Sequence, residues 1–78
     1  MPRFFLHVRK GQHFFRDPEG AVFVDLEDAR REAMQSAREL AAECVKHNQE
    51  IEGQFEIMDE AGENVLILTL KDTVRLKP

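Results

Sequence analysis

Histidine and cysteine are the side chains of this sequence that most often bind metals or act as nucleophiles. His7 and His13 flank a predicted turn, and His47 lies near the end of a predicted helix. A zinc site needs three or more converging ligands, and the hairpin predicted below places His7 and His13 on opposite faces. Cys44 is single, which excludes an internal disulfide, and no base is predicted beside it. We therefore assign no metal ligand and no catalytic residue.

The carboxylates offer no stronger chemical signal. Asp59, Glu60 and Glu63 cluster at a predicted turn, where they could attract a cation loosely. They lack the spacing and the central glycine of a calcium-binding EF-hand loop. The sequence also contains no glycine-rich phosphate loop and no serine nucleophile elbow. We expect a protein that is not an enzyme and that has no cofactor.

Charge and aromatic content limit the classes of partner. The chain has 78 residues and a net charge of −4, which argues against a non-specific nucleic-acid binder. Its six aromatic residues are all Phe, which favours packing over polar recognition. All charged residues among residues 1–16 are nevertheless basic, and this segment contains four of the six Phe. Single-stranded nucleic acid therefore remains an alternative partner. The basic residues are Arg3, Arg9, Lys10 and Arg16.

The first half of the chain reads as a hairpin, a short strand and a long helix. Strands are predicted over residues 3–8 and 13–16, joined by the turn 9–12, and a third over residues 21–24. In this hairpin Leu6 faces Phe15. Asp25 is a suitable N-cap for a helix from Leu26 to His47. An apolar stripe along this helix is typical of one that packs on a sheet; it consists of Leu26, Ala29, Ala33, Ala37, Leu40, Ala41 and Cys44.

The second half reads as another hairpin. Strands 54–58 and 63–70 flank the turn 59–62, and a three-residue loop pairs Ile57 with Val65. The tail 71–78 continues as an edge strand or frays. We predict one α+β domain over residues 1–78. Its antiparallel sheet of four or five strands carries one long helix on one face, in the order ββ(β)αββ.

One helix covers one face of such a sheet, yet both hairpins look apolar on both faces. The run Val65–Leu68 has no polar residue, which is typical of a strand buried on both sides. We expect a second copy of the chain to cover the second face in a two-fold dimer; the alternative is that the tail or residues 17–24 fold over it. The predicted interaction surface consists of Phe5, His7, Phe14, Met58, Leu66, Leu68 and Leu70.

No segment reads as a membrane or targeting element. The opening apolar run Phe4–Leu6 is too short for a signal peptide. No run approaches the roughly 20 apolar residues that span a bilayer. We expect a cytoplasmic protein with no membrane contact.

Two stretches together resemble a known family. The chain opens with Met1-Pro2-Arg3-Phe4-Phe5-x-His7, and the segment Asp25-Leu26-Glu27-x-Ala29-Arg30 leads into the helix. This pattern resembles a family of short bacterial proteins of unknown function that begin M-P-R-[YF]-F-x-H. The resemblance implies a stand-alone bacterial domain and supplies no activity. A weaker likeness is to HicB-type antitoxins, which also place a short strand and Asp-Leu before a helix rich in Glu and Ala.

Two functions remain open at this point. The first is a non-enzymatic protein-interaction module that acts as a homodimer through its sheet and binds an unidentified protein partner. The second is a regulatory nucleic-acid-binding or antitoxin-like domain, for which the basic first hairpin is the supporting feature. The apolar sheet favours the first.

Overall fold

The predicted α+β class and element order are confirmed. The structure, a computed structural model, describes residues 1–74. Its strands are β1 (Arg3–Lys10), β2 (His13–Phe15), β3 (Ala21–Val22), β4 (Gln54–Met58) and β5 (Asn64–Thr69), and its helices are α1 (Leu26–Lys46) and α2 (Leu70–Val74). Part of the predicted edge-strand tail is therefore helical, and its last four residues lie outside the described part. Within residues 1–74 no helix is both long and apolar enough to cross a membrane.

The sheet is antiparallel and is built around β1. Strand β4 pairs along one side of β1, and β5 pairs with β4. On the other side of β1, β2 pairs near its end and β3 pairs near its start. Among the described residues β5 is therefore an edge strand.

The first hairpin has the predicted faces but a different register. Val8 lies opposite Phe15, whereas the sequence predicted Leu6 there. The turn is shorter than predicted, because only Gly11 and Gln12 connect the two strands. The shift is two residues, and side chains alternate with a period of two, so each residue stays on its predicted face.

The second hairpin has the predicted strands and turn, but the prediction assigned residues of β5 to the wrong faces of the sheet. The backbone N–H of Asp59 donates to the carbonyl of Glu63, as the predicted loop requires. A bulge follows at once, and Ile57 then lies opposite Leu66 instead of Val65. This one-residue shift moves Leu66 and Leu68 to the helix-covered face and Ile67 to the other. The predicted placement of those three residues was therefore wrong.

Helix α1 begins and ends as its sequence predicts. The Asp25 carboxylate accepts a hydrogen bond from the N–H of Asp28 at the start, and His47 caps the end. Its buried stripe is made of small residues: Ala29, Ala33, Ala37, Ala41 and Cys44. Small side chains allow the helix to lie close to the sheet. Most of the apolar bulk in the core is thus supplied by the sheet and α2.

The core lies between α1 and one face of the sheet. Its large buried members are Phe4 from β1, Phe55 and Ile57 from β4, and Leu70 from α2. Leu6, Val8, Leu66 and Leu68 pack against them from the same face. The opposite side of the sheet has no helix over it in residues 1–74.

Candidate functional site

We call the side of the sheet that faces away from α1 the open face. Since Leu6 and Val8 point to the core, their neighbours Phe5, His7 and Arg9 point to the open face. Strand pairing extends this face to residues opposite them and beyond: Met58, Glu56 and Gln54 on β4, Ile67 and Thr69 on β5, and Phe14 on β2. The open face thus mixes apolar and charged side chains.

The structure brings together four of the seven residues predicted to form the interaction surface. Phe5, His7, Phe14 and Met58 share the open face, and the His7 ring lies between those of Phe5 and Phe14, at centroid distances of 6.3 and 5.2 Å. These residues also border a groove of about 340 Å³.

The other three residues of the predicted surface lie elsewhere. Leu66 and Leu68 pack against the core because of the β5 bulge. Leu70 begins α2, and only 3% of its surface is exposed. Their assignment to the open face was therefore wrong, and this face is less apolar than the sequence suggested.

His7 is held by the segment that follows β2. The backbone N–H of Asp17 donates to Nδ1 of His7 over 2.9 Å, which requires that nitrogen to be unprotonated. The His7 side chain is only 4% exposed and borders the groove.

The carboxylate of Asp17 closes a gap in the sheet. Strands β2 and β3 leave the middle of β1 unpaired on their side, and there the N–H of Leu6 donates to Asp17 Oδ2. The other oxygen, Oδ1, accepts from the N–H of Gly20 at the end of the turn. One side chain thus replaces a missing ladder contact and closes a turn. Asp17 and Pro18, from the segment 17–24 that the sequence offered as an alternative cover for this face, border the groove.

Glu56 is a buried carboxylate in the middle of the open face. Arg9 Nε lies 2.6 Å from its Oε2, and Gln54 donates to the same oxygen over 2.8 Å. The hydrogen bond from Arg9 lowers the pKa of Glu56, against the effect of burial, which raises it. The Arg9 guanidinium also lies 4.5 Å from the centre of the Phe14 ring. Its charge is therefore engaged within the chain.

The sequence did not predict the burial of Glu56, its pairing with Arg9 or the position of Ile67 on the open face. The alternation Gln54-Phe55-Glu56-Ile57 does place Glu56 on the face opposite the core, so its position was readable. Its burial and its pairing with Arg9 were not, because they depend on the pairing of β1 with β4. Ile67 was missed because a bulge has no clear sequence signal.

The other two histidines and the single cysteine are not among the residues of the open face. His47 lies at the end of α1, with Nε2 3.2 Å from Glu43. Cys44 is a free cysteine buried on the helix, and His13 is exposed at the start of β2. Among residues 1–74 no three His, Cys, Asp or Glu side chains converge as a metal site would require. The open face therefore presents apolar and hydrogen-bonding groups to solvent and no cluster of metal ligands among the described residues.

The edge next to this face is also uncovered. Among the described residues β5 pairs with β4 alone, so its outer row of N–H and C=O groups has no strand beside it. The strand contains no charged residue and no proline. Ile67, at its centre, is 51% exposed on the open face.

The fold and this surface define a small α+β domain with one long helix on an antiparallel sheet. The model of a family described as a domain of unknown function, DUF6894, matches residues 3–71. The chain belongs to that family. No curated protein and no solved structure matches it.

Proposed function

We propose that this chain is a non-enzymatic protein-interaction module that acts as a homodimer joined through its sheet. The observation that carries the proposal is the exposed position of Ile67, at the centre of an uncovered edge strand and on the open face. Contiguous exposed apolar surface bordered by polar groups is typical of protein–protein interfaces. Phe14 is also exposed on this face, at the opposite edge of the sheet.

A second copy of the chain is the partner that the charges favour. The turn after β4 is acidic, with Glu60 and Glu63 exposed, and Lys71 is exposed just after β5. Asp72, which follows Lys71, is exposed as well, so this end of β5 carries no net charge. In a two-fold dimer each surface meets its own copy in reverse order, which brings the acidic turn towards this end of the partner and not towards a second acidic turn.

The geometry favours protein over nucleic acid as the partner. Of the four basic residues of the first hairpin, Arg9 is bound to Glu56 and lies over Phe14. A base stacking on Phe14 would have to compete with that guanidinium. The net charge of −4 also opposes phosphate binding. A bacterial origin and a cytoplasmic location are parts of the same proposal, and the free Cys44 is compatible with a reducing compartment.

Light scattering coupled to size exclusion tests the proposal. We expect twice the 9.1 kDa mass of the chain at protein concentrations from about 1 to about 100 μM, the range of a weak to moderate dimer. The variant Ile67→Lys should shift the mass to 9.1 kDa. Val45→Lys is the matched control, since Val45 is an exposed aliphatic residue on α1, with 65% of its surface accessible against 51% for Ile67. A wild-type chain that stays at 9.1 kDa throughout would refute the homodimer.

A further inference from the structure

His7 is a titratable side chain buried in the middle of β1. Only 4% of its surface is exposed, and its Nδ1 accepts the backbone N–H of Asp17 over 2.9 Å. Histidine is the side chain whose charge ordinarily changes between about pH 5 and about pH 8. The hydrogen bond between the turn after β2 and the central strand therefore depends on a group that can change its charge under mild conditions.

Protonation of His7 would turn the acceptor of this bond into a donor. An imidazolium ring carries a proton on both of its nitrogens, so Nδ1 would present an N–H towards the N–H of Asp17. Rotation of the ring by half a turn would not restore the bond, because it would bring a carbon atom to the same position. The observed contact exists only while His7 is neutral.

We propose that protonation of His7 releases residues 17–22, which comprise the turn and β3, from β1. This segment is thus an acid-sensitive cover beside the groove of the open face. The inference goes beyond the proposed homodimer and does not depend on it.

Few contacts among the described residues hold this segment to β1. The Asp17 carboxylate accepts from the N–H of Leu6. Strand β3 pairs with β1 through two residues only, and both are exposed. Arg3 donates to the carbonyl of Glu19 at the exposed surface. Loss of the bond to His7 therefore removes a substantial part of the attachment.

Release of the segment would change the open face. Asp17 and Pro18 border the groove that also contains His7. Gly20 approaches the Phe5 ring so closely that a Cβ at Gly20 would lie 2.8 Å from it. Departure of these residues would expose the rings of Phe5 and His7 to solvent. The apolar area of the open face would therefore increase in acid.

The charged groups around His7 have both signs. Glu56 lies directly opposite on β4 and is bound to Arg9. The Asp17 carboxylate lies in the turn, at the N–H of Leu6. On the side of β2 the neighbour is the uncharged ring of Phe14, 5.2 Å away between centroids. The other charged residues that border the groove are Arg16, Asp59 and Glu60. Among the described residues a charged His7 would thus have more acidic than basic neighbours.

Hydrogen exchange followed by NMR between about pH 8 and about pH 5 tests the switch. Ordinary carboxyl groups stay charged in this range. Because the closed arrangement excludes a protonated His7, the protection of the Asp17 and Leu6 amides should fall about tenfold for each pH unit below the midpoint of the His7 titration. The ring resonances of His7 report that titration in the same sample. The amide of Ile57, in β4 between β1 and β5, should keep its protection.

His7→Asn is the matched variant. The side-chain oxygen of Asn accepts a hydrogen bond but does not titrate, so the protection of Asp17 should not change over this range. His13→Asn removes an exposed histidine of β2 and should keep the pH dependence of the wild type. The contrast between Asp17 and Ile57 within the wild type does not require either variant to fold.

Loss of protection at Asp17 and Leu6 that follows the titration of the His7 ring supports the switch. Constant protection while the ring takes up a proton would overturn it, and so would a ring that stays neutral down to about pH 5. An equal pH dependence in His7→Asn would also overturn it. A loss that Ile57 shares would mean that acid destabilises the whole sheet, which contradicts a local release.

Discussion

The backbone N–H of Asp17 donates to Nδ1 of His7 over 2.9 Å, while the carboxylate of the same residue accepts from the N–H of Leu6. Asp17 therefore contacts two consecutive residues of β1, one through its backbone and one through its side chain. This ties the turn after β2 to the middle of the central strand. The orientation of His7 on the open face depends on that connection.

Removing the Asp17 carboxylate should destabilise the fold. Asp17→Ala leaves the N–H groups of Leu6 and Gly20 without their acceptor. Each lost partner of a partly buried N–H costs about 1–3 kcal/mol, and we expect a total of about 2–4 kcal/mol. Urea unfolding measures the change. Glu19→Ala, an exposed acid in the same turn, should stay within about 0.5 kcal/mol of the wild type; equal effects of the two substitutions would contradict this role of Asp17.

Gly20 should tolerate no side chain, for two separable reasons. Its φ of +67° disfavours any other residue, and a Cβ there would lie 2.8 Å from the Phe4 carbonyl oxygen and from the Phe5 ring. Gly11 has a similar φ of +61° but nothing within 4 Å of its Cβ position. Gly11→Ala should thus cost about 1 kcal/mol for the backbone alone.

The comparison with Gly20→Ala isolates the steric clash. Since the carbonyl oxygen belongs to the backbone, β1 or the turn must shift, and we expect an additional loss of about 1–3 kcal/mol. The measurement is the free energy of unfolding in urea for both variants. If both glycine substitutions cost the same, the close approach of the turn to β1 has no energetic consequence.

The Arg9–Glu56 pair should make stability depend on pH. The hydrogen bond from Arg9 holds the pKa of Glu56 below its ordinary value in the folded chain. A carboxyl with a lowered folded pKa contributes stability above its unfolded pKa, and this contribution is lost as the pH falls through the folded pKa. Glu56→Gln should therefore be less stable than the wild type near pH 7 and approach it in acid.

Urea unfolding of both proteins from about pH 7 to about pH 3 measures the convergence. Glu27, whose pKa is also lowered, chiefly by its hydrogen bond from Arg30, lies exposed on α1. Glu27→Gln serves as the control and should show a smaller pH-dependent difference, because solvent screens an exposed pair. A difference between Glu56→Gln and wild type that stays constant with pH would mean that the charge of Glu56 does not contribute.

Local patterns predicted most of the elements, since their signals lie within a few residues of each other. Asp25 marked the start of α1, and the alternation over residues 54–58 marked β4. The first hairpin kept its faces despite a wrong register because the error was an even number of residues. Each of these predictions depended only on the local chain.

The predictions that were wrong or missing concern features that a few neighbouring residues do not determine. The β5 bulge changes the register by one, and an odd shift exchanges the two faces. The burial of Glu56 depends on Arg9, which is distant in sequence and becomes its neighbour only through β1–β4 pairing. An uninterrupted apolar run such as Val65–Leu68 also fits either assignment of faces. The open face could be located from the sequence, but its full membership could not.

Alanine substitutions in β5 and α2 would distinguish the observed placement of Ile67 and Leu70 from the placement predicted from the sequence, through their effects on the free energy of unfolding. In the observed arrangement Leu70 belongs to the core and Ile67 does not. Leu70→Ala should cost about 2–5 kcal/mol, because a buried side chain leaves a cavity. Ile67→Ala should change the stability of a protomer by no more than about 0.5 kcal/mol, because its side chain is half exposed. The sequence-based assignment, with Ile67 in the core and Leu70 on the open face, predicts the reverse order.

The measurement must separate protomer stability from dimerisation, because a dimer interface at Ile67 would add its own energy. Urea unfolding at a protein concentration well below the dissociation constant reports the protomer alone. There Ile67→Ala should match the wild type and Leu70→Ala should not. At higher concentration the wild type should gain stability while Ile67→Ala gains less, since only the wild type has the full apolar contact. A large loss for Ile67→Ala in the dilute protomer would place its side chain in the core and contradict the bulge.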